Sequence, residues 1–341
     1  MSIENLEQIA QAMVAPGKGI IAVDESSSTI KKRLEAVGLE NTEENRRAYR
    51  ELLLTAPGLG EHISGAILFD ETIRQKTADG RTMVQAMEQA GILPGIKVDK
   101  GTHPLAGFPG DVVTEGLDGL RDRLKEYAQM GAKFAKWRAV IDITDDTPSS
   151  TAIDTNMEVL ARYAKLVQEA GMVPMVEPEI LMDAPHSKHD IDTSFQVHEA
   201  VLSSLVNALR AHEVLFKGLI LKVSMVIPGK YAPKEDQVDA EEVAEATVAV
   251  FNETLPPALA GIVFLSGGQG DEQATQHLNL INQMGPHPWP ISFSYGRALV
   301  AEALEIWAKD QKNNVAKAQE AVLVRARQNG DAALGRWKKK G

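Results

Sequence analysis

The sequence predicts a single (β/α)8 barrel. Eight short apolar runs of β character recur along its 341 residues, and each interval between them is long enough for one helix and two loops. Charged residues gather at the C-terminal ends of those runs, where a barrel of this class carries its chemistry. An open, doubly wound sheet is the rival architecture. It normally places a Gly-rich turn after its first strand, and here that position reads Asp24-Glu-Ser-Ser-Ser28.

The expected strands are Gly19–Glu25, Ile63–Phe69, Gly95–Asp99, Phe134–Ile143, Met172–Glu179, Gly218–Val226, Gly261–Gly267 and Ile291–Tyr295. The intervening segments carry helix signals. Asn41-Thr-Glu-Glu44 and Asp239-Ala-Glu-Glu242 each set a capping side chain three residues before a glutamate. Leu117, Leu120, Leu124 and Tyr127 recur at helical spacing, and Gly131 can end that helix before the next strand. Pro256-Pro257 stops a helix carrying Val243, Val250 and Phe251. No stretch has the composition of an interdomain linker, so 1–341 reads as one domain with a short C-terminal tail from about 330.

Composition narrows the function. The chain is 44% hydrophobic, enough for an ample core, and has no cysteine, which excludes disulfides, thiolate metal sites and a cysteine nucleophile. A net charge of −11 argues against nucleic acid as a partner. No apolar run approaches a membrane span, and the first residues, Met1-Ser-Ile-Glu-Asn-Leu-Glu7, lack signal-peptide character. The expectation is a cytoplasmic protein with no membrane partner. His186, His189 and His198 come nearest to metal-ligand spacing, but they are read as lying in a Pro/Asp/Ser loop rather than on one helical face, so no metal is expected.

The chemistry is read from lysines inside β runs. Lys222 lies within Gly218-Leu-Ile-Leu-Lys-Val-Ser-Met-Val226, with Lys97, Lys136 and Lys100 as companions in other runs. Apolar surroundings disfavour a charged ammonium, and a neutral amine in a carbonyl-binding pocket is what a Schiff-base enzyme needs. Side chains two apart on a strand share a face. Lys136 and Arg138, Glu177 and Glu179, and Lys97 and Asp99 therefore point together toward one mouth, alongside Asp24. One such pair alone is more often a structural ion pair; a ring of them points to catalysis. Ser266-Gly-Gly-Gln-Gly270 and Ser294-Tyr-Gly-Arg297 follow the last two strands, the usual phosphate site of this fold. Lys97, Lys136, Arg138 and Arg33 can hold a second anion across the mouth. Two anion sites bracketing a nucleophilic lysine suggest a bisphosphorylated sugar.

These residues resemble the class I, Schiff-base fructose-bisphosphate aldolases from about residue 5 to about residue 335. The matching stretches include Ile21-Ala-Val-Asp-Glu-Ser26, Asn41-Thr-Glu-Glu-Asn-Arg-Arg47, Gly95-Ile-Lys-Val-Asp-Lys-Gly101 and Phe134-Ala-Lys-Trp-Arg138. Val173-Pro-Met-Val-Glu-Pro-Glu-Ile180, Leu221-Lys222, Phe264-Leu-Ser-Gly-Gly-Gln269 and Phe293-Ser-Tyr-Gly-Arg-Ala298 complete the set. The resemblance implies a metal-independent lyase that reversibly cleaves fructose 1,6-bisphosphate to dihydroxyacetone phosphate and glyceraldehyde 3-phosphate. It implies that Lys222 forms the imine, Glu177 is general acid/base, Glu179 holds the lysine and its neighbour, and Lys136 assists proton transfer. Asp24 would meet the C4 hydroxyl. Ser266, Gly267, Gly268, Ser294, Gly296 and Arg297 would hold the C1 phosphate, and Ser26, Arg33, Arg46, Lys97 and Arg138 would lie toward the C6 phosphate. It also implies a homo-oligomer, a tetramer by family habit.

Two departures stand out. Many members read Leu-Lys-Pro-Asn-Met around the nucleophile, where this chain has Leu221-Lys-Val-Ser-Met225. Animal members end in a tail closing with tyrosine, whereas no tyrosine follows Tyr295 here. Two rival functions remain beside the aldolase: another Schiff-base barrel of the transaldolase kind, and a catalytically silent phosphosugar-binding or scaffold barrel.

Overall fold

The computed structural model describes residues 3–339. Its strands are β1 (Gly19–Val23), β2 (Ile63–Leu68), β3 (Leu93–Lys97), β4 (Thr102–Pro104), β5 (Val112–Thr114), β6 (Phe134–Ile141), β7 (Val173–Ile180), β8 (Ile220–Val223), β9 (Gly261–Phe264) and β10 (Ile291–Tyr295). Eight of them close a parallel barrel in the order β1-β10-β9-β8-β7-β6-β3-β2, with helices in the intervals. All eight expected strands are present.

Their ends differ from expectation in an informative way. β1 stops at Val23, β8 at Val223 and β9 at Phe264, each short of the expected boundary. Beyond these points the chain leaves the ladder and finds other partners. The Ser224 hydroxyl donates to Ile180 O at 3.0 Å, and Val226 N donates to the Thr247 hydroxyl at 3.0 Å. Of the residues freed from pairing, Asp24 and Glu25 after β1 and Leu265, Ser266 and Gly267 after β9 line the cavity, while those after β8 are buried.

Strand alternation separates two cores. Ile20, Ile67, Phe134, Met175, Ile220 and Val263 belong to one cluster with Leu6, Ala10 and Met13 of the helix Ile3–Met13, which plugs the N-terminal end of the barrel. Ile21, Leu68, Ala135, Val176, Leu221 and Phe264, on the alternate positions, belong to the larger cluster between sheet and outer helices. Burying each such side chain contributes roughly 1.5–3 kcal/mol. Phe134 needs room: a Cβ on Gly95 would overlap its ring, and one on Gly65 would lie 3.1 Å from it. Glycine here serves close packing.

The helix signals hold with one shift. Asp239 caps the helix Ala240–Thr254 by accepting from Glu242 N at 2.9 Å, and that helix ends before Pro256. At the other site the cap is Thr42, whose hydroxyl accepts from Asn45 N at 3.1 Å, while the Asn41 carbonyls accept from Arg46. Leu120, Leu124 and Tyr127 are buried on the helix Leu120–Gln129; Leu117 precedes it, and Gly131 follows with φ 104°. The antiparallel pair β4–β5 was not expected, since a helix and two loops filled that interval. Asn156 fixes it by accepting from Thr114 N and donating to Val112 O. The last helix, Val315–Ala333, runs past the expected start of the tail.

Candidate active site

A cavity of about 520 Å³ opens at the C-terminal ends of the barrel strands. Its floor is a line of four alternating charges. Lys222 Nζ, from β8, lies 2.9 Å from Glu177 Oε1 of β7. The other oxygen of Glu177 lies 2.7 Å from Lys136 Nζ of β6, which also donates to Asp24 Oδ2 at 3.0 Å. Asp24 stands just past β1, so this last bond crosses the barrel. The strand rule explains the placement: the inward positions of β6 run Phe134, Lys136, Arg138, apolar at the base and cationic at the mouth.

Burial alone would favour the neutral forms of Asp24, Glu177 and Lys136. The partners reverse that. Burial pushes the Asp24 carboxyl up, but Lys136 and Lys222 outweigh it and bring it down to about 2. Burial likewise opposes ionised Glu177, and Lys136, Lys222 and Arg138 hold it below the ordinary carboxylate range. Lys136 is desolvated, yet Asp24, Glu177 and Asp99 hold its ammonium well above the usual lysine range. Two amines and two carboxylates alternate along the floor. The ammonium of Lys136 is shared between two carboxylates, Asp24 and Glu177.

A second ring of pairs surrounds the floor. Lys97 Nζ lies 2.6 Å from Asp99 Oδ1, Arg33 pairs with Glu25, and Arg138 pairs with Glu179. Glu179 is the main reason the Arg138 guanidinium sits above its ordinary range. The expectation that Glu179 holds Lys222 is corrected here, since Glu177 makes that contact. Ser26 caps the helix Ser27–Ala36 and faces the same rim.

The opposite rim is less occupied. Ser266 and Gly267 follow β9, Ser294 lines the cavity one residue before the end of β10, and Gly296 opens the helix Arg297–Lys309. A Cβ on Gly267 would come within 3.5 Å of Glu179 Oε1, and one on Gly296 within 3.3 Å of Ala22 O. The buried Ser294 Oγ has no hydrogen-bond partner among the described residues. Arg297 is 54% exposed, and its contact with Asp183 is 3.8 Å. This rim offers donors to an incoming anion.

Three expected residues lie elsewhere. Arg46 is bound to Glu71 by two bonds, Nε to Oε2 at 2.8 Å and NH2 to Oε1 at 2.6 Å, and does not line the cavity. Its position on the helix Glu43–Leu54 turns it toward Glu71 rather than the mouth. Gly268 adopts φ 80° and packs against Met182, where a Cβ would lie 2.6 Å from the Met182 Cβ. It turns the loop instead of lining the cavity. Lys100 is exposed beyond β3. The histidines are engaged separately: His186 with Asp142 at 2.7 Å, His198 Nδ1 with Ser194 O at 2.7 Å. No group of three metal-capable side chains occurs among the described residues.

Glu25 and Asp183 line the cavity without having been assigned to it, and Asp99, expected at the mouth, lines it as well. Asp99 was signalled by its spacing from Lys97. Glu25 was hidden because alternation turns it away from Asp24, but the strand has already ended at Val23. Asp183 lies in a loop and carries no sequence signal.

The glycolytic class-I fructose-bisphosphate aldolase family model matches residues 5–341. The probable fructose-bisphosphate aldolase class 1 of Xanthomonas campestris pv. campestris is 62% identical over 338 residues, covering 99% of this chain and 100% of the relative. Cytosolic fructose-bisphosphate aldolase 4 of Arabidopsis thaliana is 51% identical over 339 residues, covering 98% of this chain and 85% of that one. Among solved structures, a Plasmodium falciparum fructose-bisphosphate aldolase in complex with TRAP and a small-molecule inhibitor superposes with a TM-score of 0.95 at 47% identity. It covers 99% of this chain and 96% of that chain. The chain belongs to the class I fructose-bisphosphate aldolases, lyases that reversibly cleave fructose 1,6-bisphosphate through a lysine Schiff base.

Proposed function

We propose that Lys222 is the imine-forming residue, with Glu177, Lys136 and Asp24 as its catalytic company and Arg138 and Glu179 behind them. The carrying observation is Glu177 set between Lys222 Nζ at 2.9 Å and Lys136 Nζ at 2.7 Å on the floor of the cavity. Lys222 must shed a proton to attack the C2 carbonyl, and ionised Glu177 is in reach to take it. The same carboxyl then protonates the departing C2 hydroxyl, which leaves as water and gives the iminium. As the C3–C4 bond breaks, its electron pair flows into the iminium to form an enamine. The proton of the C4 hydroxyl passes to Asp24, releasing glyceraldehyde 3-phosphate. Protonation at C3 and hydrolysis of the imine return Lys222 and release dihydroxyacetone phosphate. Lys136, kept charged, steadies both carboxylates throughout.

Ser266, Gly267, Ser294, Gly296 and Arg297 receive the C1 phosphate; Ser26, Arg33, Lys97 and Arg138 receive the C6 phosphate. A cavity of about 520 Å³ suits a substrate of this size. The reaction uses no metal or other cofactor, because the buried lysine supplies the electron sink. The enzyme works in the cytoplasm as a homo-oligomer, a reading supported by the cytosolic Arabidopsis and cytoplasmic spinach relatives for location and by family habit for assembly.

Borohydride reduction in the presence of dihydroxyacetone phosphate, followed by peptide mass spectrometry, tests this reading alongside an EDTA-treated assay. The expected result is an adduct on Lys222, cleavage that survives EDTA, and no turnover in Lys222→Met. An adduct on Lys97 or Lys136 would reassign the roles. Activity lost to the chelator, without any adduct, would overturn the mechanism.

A further inference from the structure

Arg50 is fully buried on the helix Glu43–Leu54, and its contacts converge on the end of β1. Nε donates to Val23 O at 3.1 Å and NH2 donates to Glu25 O at 3.1 Å. These two carbonyls bracket Asp24. The last ladder pair of β1 is Val23 with Leu68, so the backbone of Asp24 lies beyond strand pairing. The guanidinium takes over where the sheet stops. NH2 also lies 3.5 Å from Glu25 Oε2 and NH1 3.6 Å from Glu71 Oε2, extending a row of alternating charges from Arg33 through Glu25, Arg50 and Glu71 to Arg46.

A buried guanidinium is costly, and two backbone bonds, two carboxylates and the face of Phe69 at 6.0 Å offset that cost. An apolar side chain would fill the space without it, but would leave the two carbonyls unheld. We propose that Arg50 is a positioning residue for carbon–carbon cleavage, fixing the end of β1 so that Asp24 meets Lys136 and the C4 hydroxyl. The proposal rests on the assignment of Asp24 to the cleavage step. Arg50 touches neither substrate nor Asp24's carboxylate; it acts through the main chain on either side.

A merely structural arginine would lower every step together as folded protein is lost. A positioning role separates the steps. Imine formation with dihydroxyacetone phosphate needs Lys222 and Glu177, whereas cleavage of the ketose needs Asp24 as well. Arg50→Lys, which keeps the charge and loses the fork, is expected to lower kcat for fructose 1,6-bisphosphate cleavage about tenfold to a hundredfold. Borohydride trapping of dihydroxyacetone phosphate on Lys222 stays within about twofold of the parent enzyme, on the same separation of steps. Asp24→Asn is measured beside it, and the double variant should lose little beyond Asp24→Asn alone.

If Asp24→Asn loses cleavage selectively while Arg50→Lys loses both activities equally or neither, the positioning role is overturned and the Asp24 reading stands. If Asp24→Asn leaves cleavage intact, the Asp24 reading itself fails and the proposal fails with it. Should Arg50→Lys not fold, Glu71→Gln takes its place, loosening NH1 from a partly exposed partner. A two- to fivefold loss confined to cleavage is then expected, roughly one weakened ion contact, and an unchanged cleavage rate overturns the proposal.

Discussion

The two rims of the cavity are both cationic but differ in how their cations are held, and substitution can separate them. Arg33 is paired with Glu25, Lys97 with Asp99 at 2.6 Å and Arg138 with Glu179, so a phosphate arriving there must displace or share a carboxylate. Among the described residues Arg297 has only Asp183, 3.8 Å away, and it lines the same cavity as the Ser294 hydroxyl, which has no hydrogen-bond partner among them. Arg297→Ala therefore removes a contact whose full worth goes to the ligand. A charge-assisted bond contributes roughly 1.5–3 kcal/mol, and about 1.4 kcal/mol is a factor of ten. More than half of Arg297 is exposed, so solvent screening places the loss toward the lower end, about tenfold to thirtyfold in KM. The assay is initial-rate cleavage of fructose 1,6-bisphosphate and fructose 1-phosphate. Both ketoses carry the C1 phosphate and should lose alike in Arg297→Ala, while dihydroxyacetone, which carries none, should be trapped on Lys222 as in the parent. Arg33→Ala should raise KM for the bisphosphate alone, and by less, about threefold to tenfold, because Arg33 gives up Glu25 on binding. Equal losses for phosphorylated and unphosphorylated substrates in Arg297→Ala would place that residue outside the phosphate site. Equal losses for both ketoses in Arg33→Ala would remove the assignment of that rim to C6.

Three further outcomes follow from the packing and charge of the barrel. Asp24 titrates at about 2 rather than 3.8, and since the folded value is depressed, its stabilising contribution is present above about pH 4 and lost as pH falls through 2. Asp24→Asn should thus cost roughly 2 kcal/mol at pH 7 in urea unfolding, with the gap to the parent closing in acid; a gap that does not change with pH would refute the linkage. Gly95→Ala drives a methyl into the Phe134 ring and should cost about 1–3 kcal/mol of stability, recovered in part by Phe134→Leu; full stability in the single variant would mean that the barrel base is not tightly packed. Arg46→Ala should leave KM for both ketoses unchanged within about twofold and cost about 1 kcal/mol through the lost Glu71 pair, whereas a KM effect specific to the bisphosphate would return Arg46 to the C6 rim.

What the sequence made legible and what it hid follow one physical line. Strands alternate, so Lys136 with Arg138 and Glu177 with Glu179 could be placed on a common inner face from their spacing, and the structure puts all four at the mouth. Spacing does not say which cation meets which anion. Glu177 and Glu179 are equivalent in the run Val173-Pro-Met-Val-Glu-Pro-Glu-Ile180, and Arg138 stands in register with Glu177 yet pairs with Glu179. That choice is set by Lys136 and Lys222, which claim both oxygens of Glu177 from adjacent strands, leaving the outer carboxylate to the outer cation. The short pair β4–β5 escaped notice because its three-residue strands carry no apolar alternation; they are held by Asn156 from a helix far along the chain. Arg46 and Arg50 show the same limit from the helical side. They lie one turn apart and share Glu71, so helical phase, not nearness to a familiar motif, decides what they touch. Arg50 carried a readable signal, a cation between Tyr49 and the apolar Leu52-Leu53-Leu54 on a helix that must bury one face. A charge in that phase has to find a buried partner, and here the partner is the loose end of the strand that presents Asp24.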